Sequence, residues 1–353
     1  MSLFALGLGA VERGFVPDVL IRSAIQQLCE QRLRQSDRGN EIANWHAWNQ
    51  LVESTRTAPI APLPRLANEQ HYELPPEFFT TVLGQHRKYS CCFWPEIESS
   101  SRAASTLTQA EDAALTITCQ RAGLSDGQDI LELGCGWGSL SLWMSERYPN
   151  SRITAVSNSA PQRKFIEAEA ARRGLNNLTV LTADMNDFAI DATFDRVVSI
   201  EMFEHMRNYE RLLHRISNWL RPDGKLFVHH FCHRRFTYPF ESDGDANWMG
   251  RYFFSGGLMP SENLLRAFDR SLIVTQQWRW DGRHYQRTSE AWLRNLDARR
   301  SEVRQILKSV YGPAEATRWL NRWRVFFLAV AELFGYAEGQ EWFVTHLLLE
   351  RSS

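Results

Sequence analysis

Two carboxylates and an imidazole occur within one five-residue stretch of the chain, at Glu201, Glu204 and His205. The surrounding apolar pattern predicts a helix over 203–219. If helical geometry already begins at Glu201, the three side chains take positions i, i+3 and i+4 and share one face. These residue types suit removal of a proton or binding of a cation. Two other interpretations stay open, because acids also stabilise a helix start through its dipole and the same side chains can bind a metal ion.

A glycine-rich turn suited to binding a ligand follows the apolar run Ile130–Leu133. The pattern predicts a buried strand, a tight turn and then an amphipathic helix. The glycines of the turn are Gly134, Gly136 and Gly138. Glycine lets the backbone approach a ligand closely, and Glu132 is placed to accept hydrogen bonds from ligand hydroxyls. The spacing Gly-x-Gly-x-Gly differs from the Gly-x-Gly-x-x-Gly of dinucleotide-binding enzymes.

The run His229–His233 also contains metal-binding residue types. On a strand, successive side chains point to opposite faces. His229 and His233 would therefore lie on one face, while His230 and Cys232 would lie on the other. A single zinc site needs its ligands to converge, so we expect no metal ion here. We expect instead that a histidine at the end of the strand lines the active site.

These side chains are positioned by strands and helices that alternate between residues 126 and 230, which predicts a parallel sheet covered on both faces. The predicted strands are Asp129–Leu133, Ser151–Val156, Leu178–Thr182, Phe194–Ile200 and Lys225–His230. The predicted helices between them are Ser139–Glu146, Pro161–Arg173 and Phe203–Trp219. After a loop-rich stretch, the predicted elements are a helix from Ser261, strands Leu272–Trp278 and Trp342–Leu349, and helices Ser289–Val310 and Pro313–Leu333.

Polar side chains follow four of the predicted strands at their carboxyl ends, where ligands bind in open α/β sheets. They are Glu132 after the first strand, Asn158 and Gln162 after the second, Asp184 after the third and Glu201 after the fourth. Together they suit a ligand with a ribose, an adenine and a zwitterionic tail. Since no lysine or arginine lies in the first turn to meet a pyrophosphate, S-adenosylmethionine fits better than a dinucleotide. Each residue alone could be a helix cap, but four in register make that the weaker interpretation.

The composition argues against several classes of function. The net charge is −1, which disfavours a nucleic-acid partner and a strongly basic membrane-binding surface. The six cysteines include no Cys-x-x-Cys pair, and we interpret them as reduced thiols of a cytoplasmic protein. No segment reaches the ~20 apolar residues of a membrane span, so we expect no stable membrane insertion. Whether the chain forms a homodimer is left open.

Several longer motifs resemble the cyclopropane fatty acid synthase superfamily of S-adenosylmethionine-dependent methyltransferases, and within it the coclaurine N-methyltransferase branch. These motifs are Lys88–Cys92, Glu132–Gly138, Ser157–Gln162, Ser199–Met206, His229–His233, Trp248–Pro260 and Val330–Tyr336. The resemblance implies an α/β fold with a Rossmann-like class I methyltransferase sheet, mostly parallel with an antiparallel last strand. The resemblance runs from about residue 70 to the end of the sequence. The residue pattern over 1–115 is mostly helical and predicts a helical N-terminal extension or lid, followed by a methyltransferase domain over 116–353. A helical substrate cap would be inserted into that domain at about 231–340.

The resemblance further implies roles for individual residues. The cofactor would be held by Tyr89, Ser90, Gly134, Asn158, Gln162 and Asp184. His205 and Glu204 would form the catalytic pair, with Glu201 beside them. Tyr72 and Glu73 would border the site of a small-molecule amine substrate, and His229 and Tyr285 would belong to the same substrate site.

One position separates two branches of this superfamily. In the cyclopropane synthases that the chain resembles, a cysteine, a glutamate, a histidine and a tyrosine bind the bicarbonate ion that acts as the base. Glu204, His229 and Tyr285 match three of these positions, whereas Val330 stands where the cysteine is expected. The missing thiol argues against cyclopropanation and for methylation of a heteroatom.

The leading hypothesis is therefore N-methylation of a small aromatic or benzylisoquinoline-like amine. His205 would be the general base, oriented by Glu204. The rings expected to wall the pocket are Tyr89, Trp94, Phe231, Tyr252, Phe253, Phe254 and Tyr336. The alternative is a cyclopropane-fatty-acyl-phospholipid synthase or a fatty-acyl methyltransferase, because the amphipathic segment Asp18–Leu33 could lie on a bilayer.

Overall fold

A seven-stranded sheet forms the centre of the computed structural model, which describes residues 3–64, 74–98, 105–244 and 247–352. The strands of the described residues are β1 (Asp129–Leu133), β2 (Arg152–Ser157), β3 (Leu178–Thr182), β4 (Phe194–Ile200), β5 (Leu220–His233), β6 (Tyr238–Pro239), β7 (Leu258–Met259), β8 (Leu272–Trp280) and β9 (Trp342–Arg351). Strands β6 and β7 pair with each other in a separate two-stranded sheet. The order in the large sheet is β3-β2-β1-β4-β5-β9-β8. Strands β1 to β5 pair in parallel, and β9 is antiparallel to both of its neighbours. The predicted class I sheet with an antiparallel last strand is confirmed.

Helices cover both faces of this sheet and its carboxyl edge. They are α1 (Leu3–Glu12), α2 (Asp18–Ser36), α3 (Glu41–Arg56), α4 (Pro76–Val82), α5 (Pro95–Glu98), α6 (Leu107–Arg121), α7 (Ser139–Arg147), α8 (Ala160–Arg173), α9 (Tyr209–Trp219), α10 (Trp248–Tyr252), α11 (Gly282–Ala298) and α12 (Arg300–Gly335). Successive side chains of β1 point to opposite faces. Ile130 belongs to a cluster with α6 and α7, and Leu131 belongs to one with α9. Packing on both faces holds the strand ends in place.

The helix predicted from Phe203 onward is split. A short 3-10 turn takes its first three residues, and α9 begins only after Asn208, whose side chain caps it. Glu201 has a left-handed backbone with a φ of 48°, which turns the chain away from helical geometry. The predicted helix face shared by Glu201, Glu204 and His205 is therefore wrong.

The bounds of other predicted helices also differ from those in the structure. The long C-terminal helices separate at Arg299, whereas Gly312 (φ 80°) and Pro313 only kink α12. Proline lacks the N–H that a helix interior needs, and glycine accepts the positive φ. The helix predicted from Ser261 is only a 3-10 turn over Leu264–Ala267. Residue 115, where we predict the division between the two parts of the chain, lies within α6, and that division stays a prediction.

The N-terminal helix α2 packs on the inserted helix α12. Arg22 forms an ion pair with Glu332 at 2.7 Å, and Ile21 and Cys29 are buried in the same apolar cluster as residues of α12. The apolar side of the segment predicted over Asp18–Leu33 thus covers a helix of the same chain. Among the helices of the described residues, none is long and apolar enough to cross a membrane.

Thr288 of α11 anchors the segment that leads from Lys88 to Trp94. Its hydroxyl oxygen accepts the backbone N–H of Cys92 at 3.1 Å and the indole N–H of Trp94 at 3.0 Å. Thr288→Val keeps the shape but leaves both buried donors unpaired, and each unpaired donor costs about 1–3 kcal/mol. We expect the free energy of unfolding to fall by about 2–4 kcal/mol, measured by urea denaturation.

The matched control is Thr179→Val, at an exposed position of β3. Its effect on the free energy of unfolding should stay within about 0.5 kcal/mol. Equal denaturation midpoints for the two variants would contradict the anchoring role of Thr288.

Candidate active site

The carboxyl ends of β1, β2 and β4 open into one cleft. The lining includes seven residues that the sequence analysis assigned to the cofactor: Tyr89, Ser90, Glu132, Gly134, Gly136, Asn158 and Gln162. Glu201 and His205 line the same cleft. Side chains from strand ends far apart in sequence are therefore brought to one place, as the strand order requires.

Gly138 and Asp184 were also predicted to hold the cofactor, but they lie outside the residues that line this cleft. Gly138 precedes α7 with a φ of 79°, and a Cβ there would lie 2.7 Å from Cγ1 of Ile166. The Asp184 carboxylate accepts the N–H of Asn186 at 2.8 Å. Gly138 therefore permits close packing of the turn, and Asp184 closes the loop after β3.

Two buried side chains of the cleft have the chemistry that a nucleoside ligand needs. Glu132 accepts a hydrogen bond from Ser141, and its burial raises the pKa of the carboxyl to about 7. Gln162 accepts the Ser157 hydroxyl at 2.7 Å, while its Nε2 has no acceptor among the described residues. A carboxylate for ribose hydroxyls and an orphaned amide donor both fit S-adenosylmethionine.

The segment Lys88–Ser90 forms another wall of the cleft, and Lys88 was not among the residues predicted to line it. Lys88 is buried, and its ammonium donates to the Ser90 hydroxyl and to the Cys91 carbonyl, each at 2.6 Å. Its position next to the predicted Tyr89–Ser90 pair was the available signal. The N-terminal residues Leu63 and Pro64 also line the cleft, and no motif in the sequence indicated them.

Glu201 is held by donors from three separate segments. Its Oε1 accepts the backbone N–H of Cys91 at 2.9 Å and lies 3.2 Å from His229 Nε2. Its Oε2 accepts the Tyr285 hydroxyl at 2.7 Å. Burial raises the pKa of Glu201, and the positive charge of Lys88 opposes that rise. His229 and Tyr285, predicted as substrate-site residues, are thus brought to the carboxylate.

Glu204 and His205 do not form the geometry expected of a base and its orienting carboxylate. Glu204 Oε1 accepts the backbone N–H of Phe231 at 2.7 Å, and Oε2 has no partner among the described residues. Burial and the charge of Glu201 raise the pKa of Glu204 well above its usual range. Burial lowers the pKa of His205 to about 4, and the carboxylate that opposes this shift is Glu201. The charge of Glu201 therefore acts on the His205 ring, and the catalytic pairing of His205 with Glu204 stays a prediction.

The histidine run on β5 serves separate contacts. His229 faces Glu201, His230 Nδ1 lies 3.0 Å from the carbonyl of Phe231, and His233 Nδ1 accepts backbone N–H groups after the strand. Within the described residues, no group of three or more potential metal ligands converges.

A second cleft opens beside the first and is largely aromatic. Its rings are Tyr89, Phe231, Phe240, Phe254, Tyr285, Trp292, Phe326 and Phe334. Glu201 and His205 line this cleft as well as the first, and Glu201 is its one carboxylate among the described residues. Such a lining suits a cationic or aromatic ligand. Val330, at the expected cysteine position, also lines it.

Several residues expected around this second cleft are not part of its lining. The rings predicted to wall the pocket but absent from the lining are Trp94, Tyr252, Phe253 and Tyr336. Trp94 and Phe253 are buried in the core instead. Tyr72 and Glu73, predicted to border the amine, lie outside the described residues.

Comparisons with known proteins agree with this arrangement. Residues 64–338 match the family model described as mycolic acid cyclopropane synthetase. The chain is 37% identical to (S)-coclaurine N-methyltransferase of Thalictrum flavum subsp. glaucum, over 97% of this chain and 94% of that one. It is 34% identical to the enzyme of the same name from Papaver somniferum, over 97% and 96% of the two chains. The crystal structure of a coclaurine N-methyltransferase bound to N-methylheliamine and SAH superposes with a TM-score of 0.94, at 36% identity over 99% and 100% of the chains.

The raised pKa of Glu132 makes cofactor affinity depend on pH. Ribose hydroxyls that donate to the carboxylate favour its ionised form, so the ligand binds more tightly as pH rises through about 7. We expect the affinity for S-adenosylhomocysteine to increase about tenfold between about pH 6 and about pH 8, measured by calorimetry. Glu132→Gln should weaken binding and abolish this dependence.

The matched control is Glu146→Gln, which changes an exposed carboxylate on α7. It should keep both the affinity and the pH dependence of the unmodified protein. A pH dependence that survives in Glu132→Gln would show that another group is responsible.

Proposed function

The chain belongs to the mycolic acid cyclopropane synthetase family and is an S-adenosylmethionine-dependent methyltransferase, and we propose that it methylates the nitrogen of a small amine. The proposed acceptor class is aromatic and benzylisoquinoline-like. The names of the relatives support this class, as does the N-methylheliamine bound in the similar crystal structure.

The observation that carries the proposal is the position of Glu201 at the meeting of two clefts. One cleft has the donors and acceptors that suit the cofactor, and the other is walled by rings. A carboxylate surrounded by aromatic faces attracts an ammonium ion and offers little to a neutral acyl chain. The acceptor nitrogen would thus be drawn to the side of the cofactor cleft.

The contacts of Glu201 also weaken the alternative of cyclopropanation. His229 and Tyr285 are two of the groups that the resemblance assigns to bicarbonate, and here both contact the Glu201 carboxylate. Val330 supplies no thiol at the position where the cysteine is expected. A side-chain carboxylate thus occupies the hydrogen bonds that a bound bicarbonate would need.

The chain's own residues would prepare the amine for attack. An alkylammonium has a pKa of about 10, so freeing its lone pair at about pH 7 costs about 4 kcal/mol. Removal of water by the aromatic cleft lowers the pKa of the ammonium, as burial does for His205, whereas the charge of Glu201 acts in the opposite direction and holds the amine in place. Burial lowers the pKa of His205 to about 4, so its imidazole is neutral at pH 7 and adds no positive charge beside the ammonium. S-adenosylmethionine would supply the methyl group on its sulfonium sulfur.

The compartment is part of the proposal. All six cysteines are free thiols and buried, which supports a reducing, cytoplasmic environment. We also retain the proposed division into a helical extension over 1–115 and a methyltransferase domain over 116–353, with the cap at about 231–340.

The test of the proposed function is the chemical class that receives label from methyl-labelled S-adenosylmethionine. Purified protein is offered tetrahydroisoquinoline-type amines and, in parallel, vesicles of unsaturated phospholipid. We expect label in the amines, because the acceptor cleft is aromatic and contains a carboxylate. Label confined to the lipid would overturn the proposal.

The two buried glutamates should respond differently to the same substitution. Glu201→Gln removes the charge that faces the ammonium, and kcat/KM for an amine should fall by about 10²–10³-fold. Glu204→Gln keeps an acceptor for the Phe231 N–H and replaces a carboxyl whose raised pKa already favours the neutral form. The fall in kcat/KM in Glu204→Gln should therefore be at least about tenfold smaller than in Glu201→Gln, measured by initial rates at saturating cofactor. Equal losses would assign the essential charge to both carboxylates and contradict the role given to Glu201.

A further inference from the structure

A line of hydrogen-bonded side chains connects Glu201 to Arg121 at the end of α6. His229 Nε2 lies 3.2 Å from Glu201 Oε1, and His229 Nδ1 lies 2.8 Å from His346 Nε2. His346 Nδ1 in turn lies 2.9 Å from a guanidinium nitrogen of Arg121. His229 and His346 are register partners on β5 and β9, and Arg121 ends α6. Four elements of the fold thus contribute to one continuous line.

Arg121, the last member of this line, determines the direction of every hydrogen bond in it. Arginine can only donate, so His346 Nδ1 accepts and the proton of the neutral ring lies on Nε2. That proton is donated to His229 Nδ1, which leaves the His229 proton on Nε2. His229 therefore donates to Glu201. With the opposite tautomer, a nitrogen lone pair would face the carboxylate oxygen.

We propose that Arg121 and His346 are positioning residues for methyl transfer, which fix the His229 tautomer so that it donates to Glu201 and holds that carboxylate ionised toward the amine. The proposal rests on the proposed function only in naming the amine as the ligand of Glu201. Neither residue lines either cleft, so each acts through its neighbours.

Aromatic rings shield the two histidines of this line from solvent. Trp280 packs on His346 and on His229, with ring centroids 4.3 Å and 5.3 Å apart. The Arg121 guanidinium lies over the rings of Trp278 and Trp280, at 5.2 Å and 5.8 Å from their centroids. Both histidines are fully buried. Because both rings are buried and hydrogen-bonded along the line, the arginine donor sets their tautomers.

The neutral state of both histidines is favoured by their surroundings. Burial lowers the pKa of His229 and of His346 well below the usual range. Burial lowers the pKa of Arg121 to about 10, which leaves it charged at neutral pH. The other titratable groups that act on this line are Lys88, Cys91, Glu98, Glu204, His205, His230 and Tyr285.

The experiment compares His346→Leu with His346→Gln. Leucine removes both hydrogen bonds, whereas glutamine keeps an acceptor for Arg121 and a donor for His229. In the leucine variant we expect kcat/KM for a tetrahydroisoquinoline amine to fall about 10–100-fold. The acid limb of its pH profile should move to higher pH, because Glu201 has lost a donor that favours its ionised form. Affinity for S-adenosylhomocysteine should stay within about twofold of the original.

The glutamine variant should recover most of the activity and the original acid limb. Equal losses in both variants with an unmoved acid limb would indicate simple packing and overturn the proposal. Wild-type activity and profile in His346→Leu would overturn it as well.

A second readout does not depend on methylation of any substrate. Nitrogen-15 NMR of ring-labelled histidine reports which nitrogen of His229 carries the proton, with the signal assigned by its loss in His229→Gln. We expect the proton on Nε2 in the original protein and a change in His346→Leu. A proton on Nδ1 in the original protein would overturn the tautomer assignment. A protein that keeps the expected tautomer but methylates no amine would instead refute the proposed function alone.

Discussion

The active site depends on one electrostatic constraint, the burial of the Glu201 carboxylate between two ligand clefts. A buried charge is costly unless it is hydrogen-bonded or paired. The fold meets that cost with donors from the loop at Cys91, from His229 on β5 and from Tyr285 on α11. Since these donors are distant in sequence, the sheet and the inserted helices must all be in place before the carboxylate can remain charged.

Helix α11 links the two halves of this arrangement. It carries Tyr285, and through Thr288 and His284 it also holds the loop whose Cys91 N–H reaches the same carboxylate. His284 Nδ1 accepts the backbone N–H of Trp94 at 2.9 Å, and His284 Nε2 lies 3.1 Å from Glu98. Helix α11 therefore supports the loop that lines the first cleft, and it also contributes Tyr285 to the wall of the second, aromatic cleft. A change in the packing of α11 would disturb both ligand sites together.

The strands could be predicted from sequence because each is a short apolar run between turn residues. The bounds of β1, β3 and β4 agree with the prediction, and most of the glycine-turn residues reach the cleft. The spacing of Glu201, Glu204 and His205 did not predict how their side chains are arranged, because the left-handed backbone at Glu201 interrupts the expected helix. The partner of Glu201, His229, comes from another strand. Such contacts follow from sheet order, which no local pattern near residue 201 contains.

The two buried glutamates differ in how strongly their surroundings favour the ionised form, and this difference affects the transition state. An amine nitrogen becomes positively charged as its new bond to carbon forms. A fixed carboxylate beside it therefore stabilises the transition state more than the neutral amine. Two ionised carboxylates in this buried space would repel each other and raise the cost of desolvation. The structure avoids that conflict because Glu201 receives several donors, whereas Glu204 receives one and has its pKa raised further by Glu201. The site can thus present a single negative charge to the acceptor.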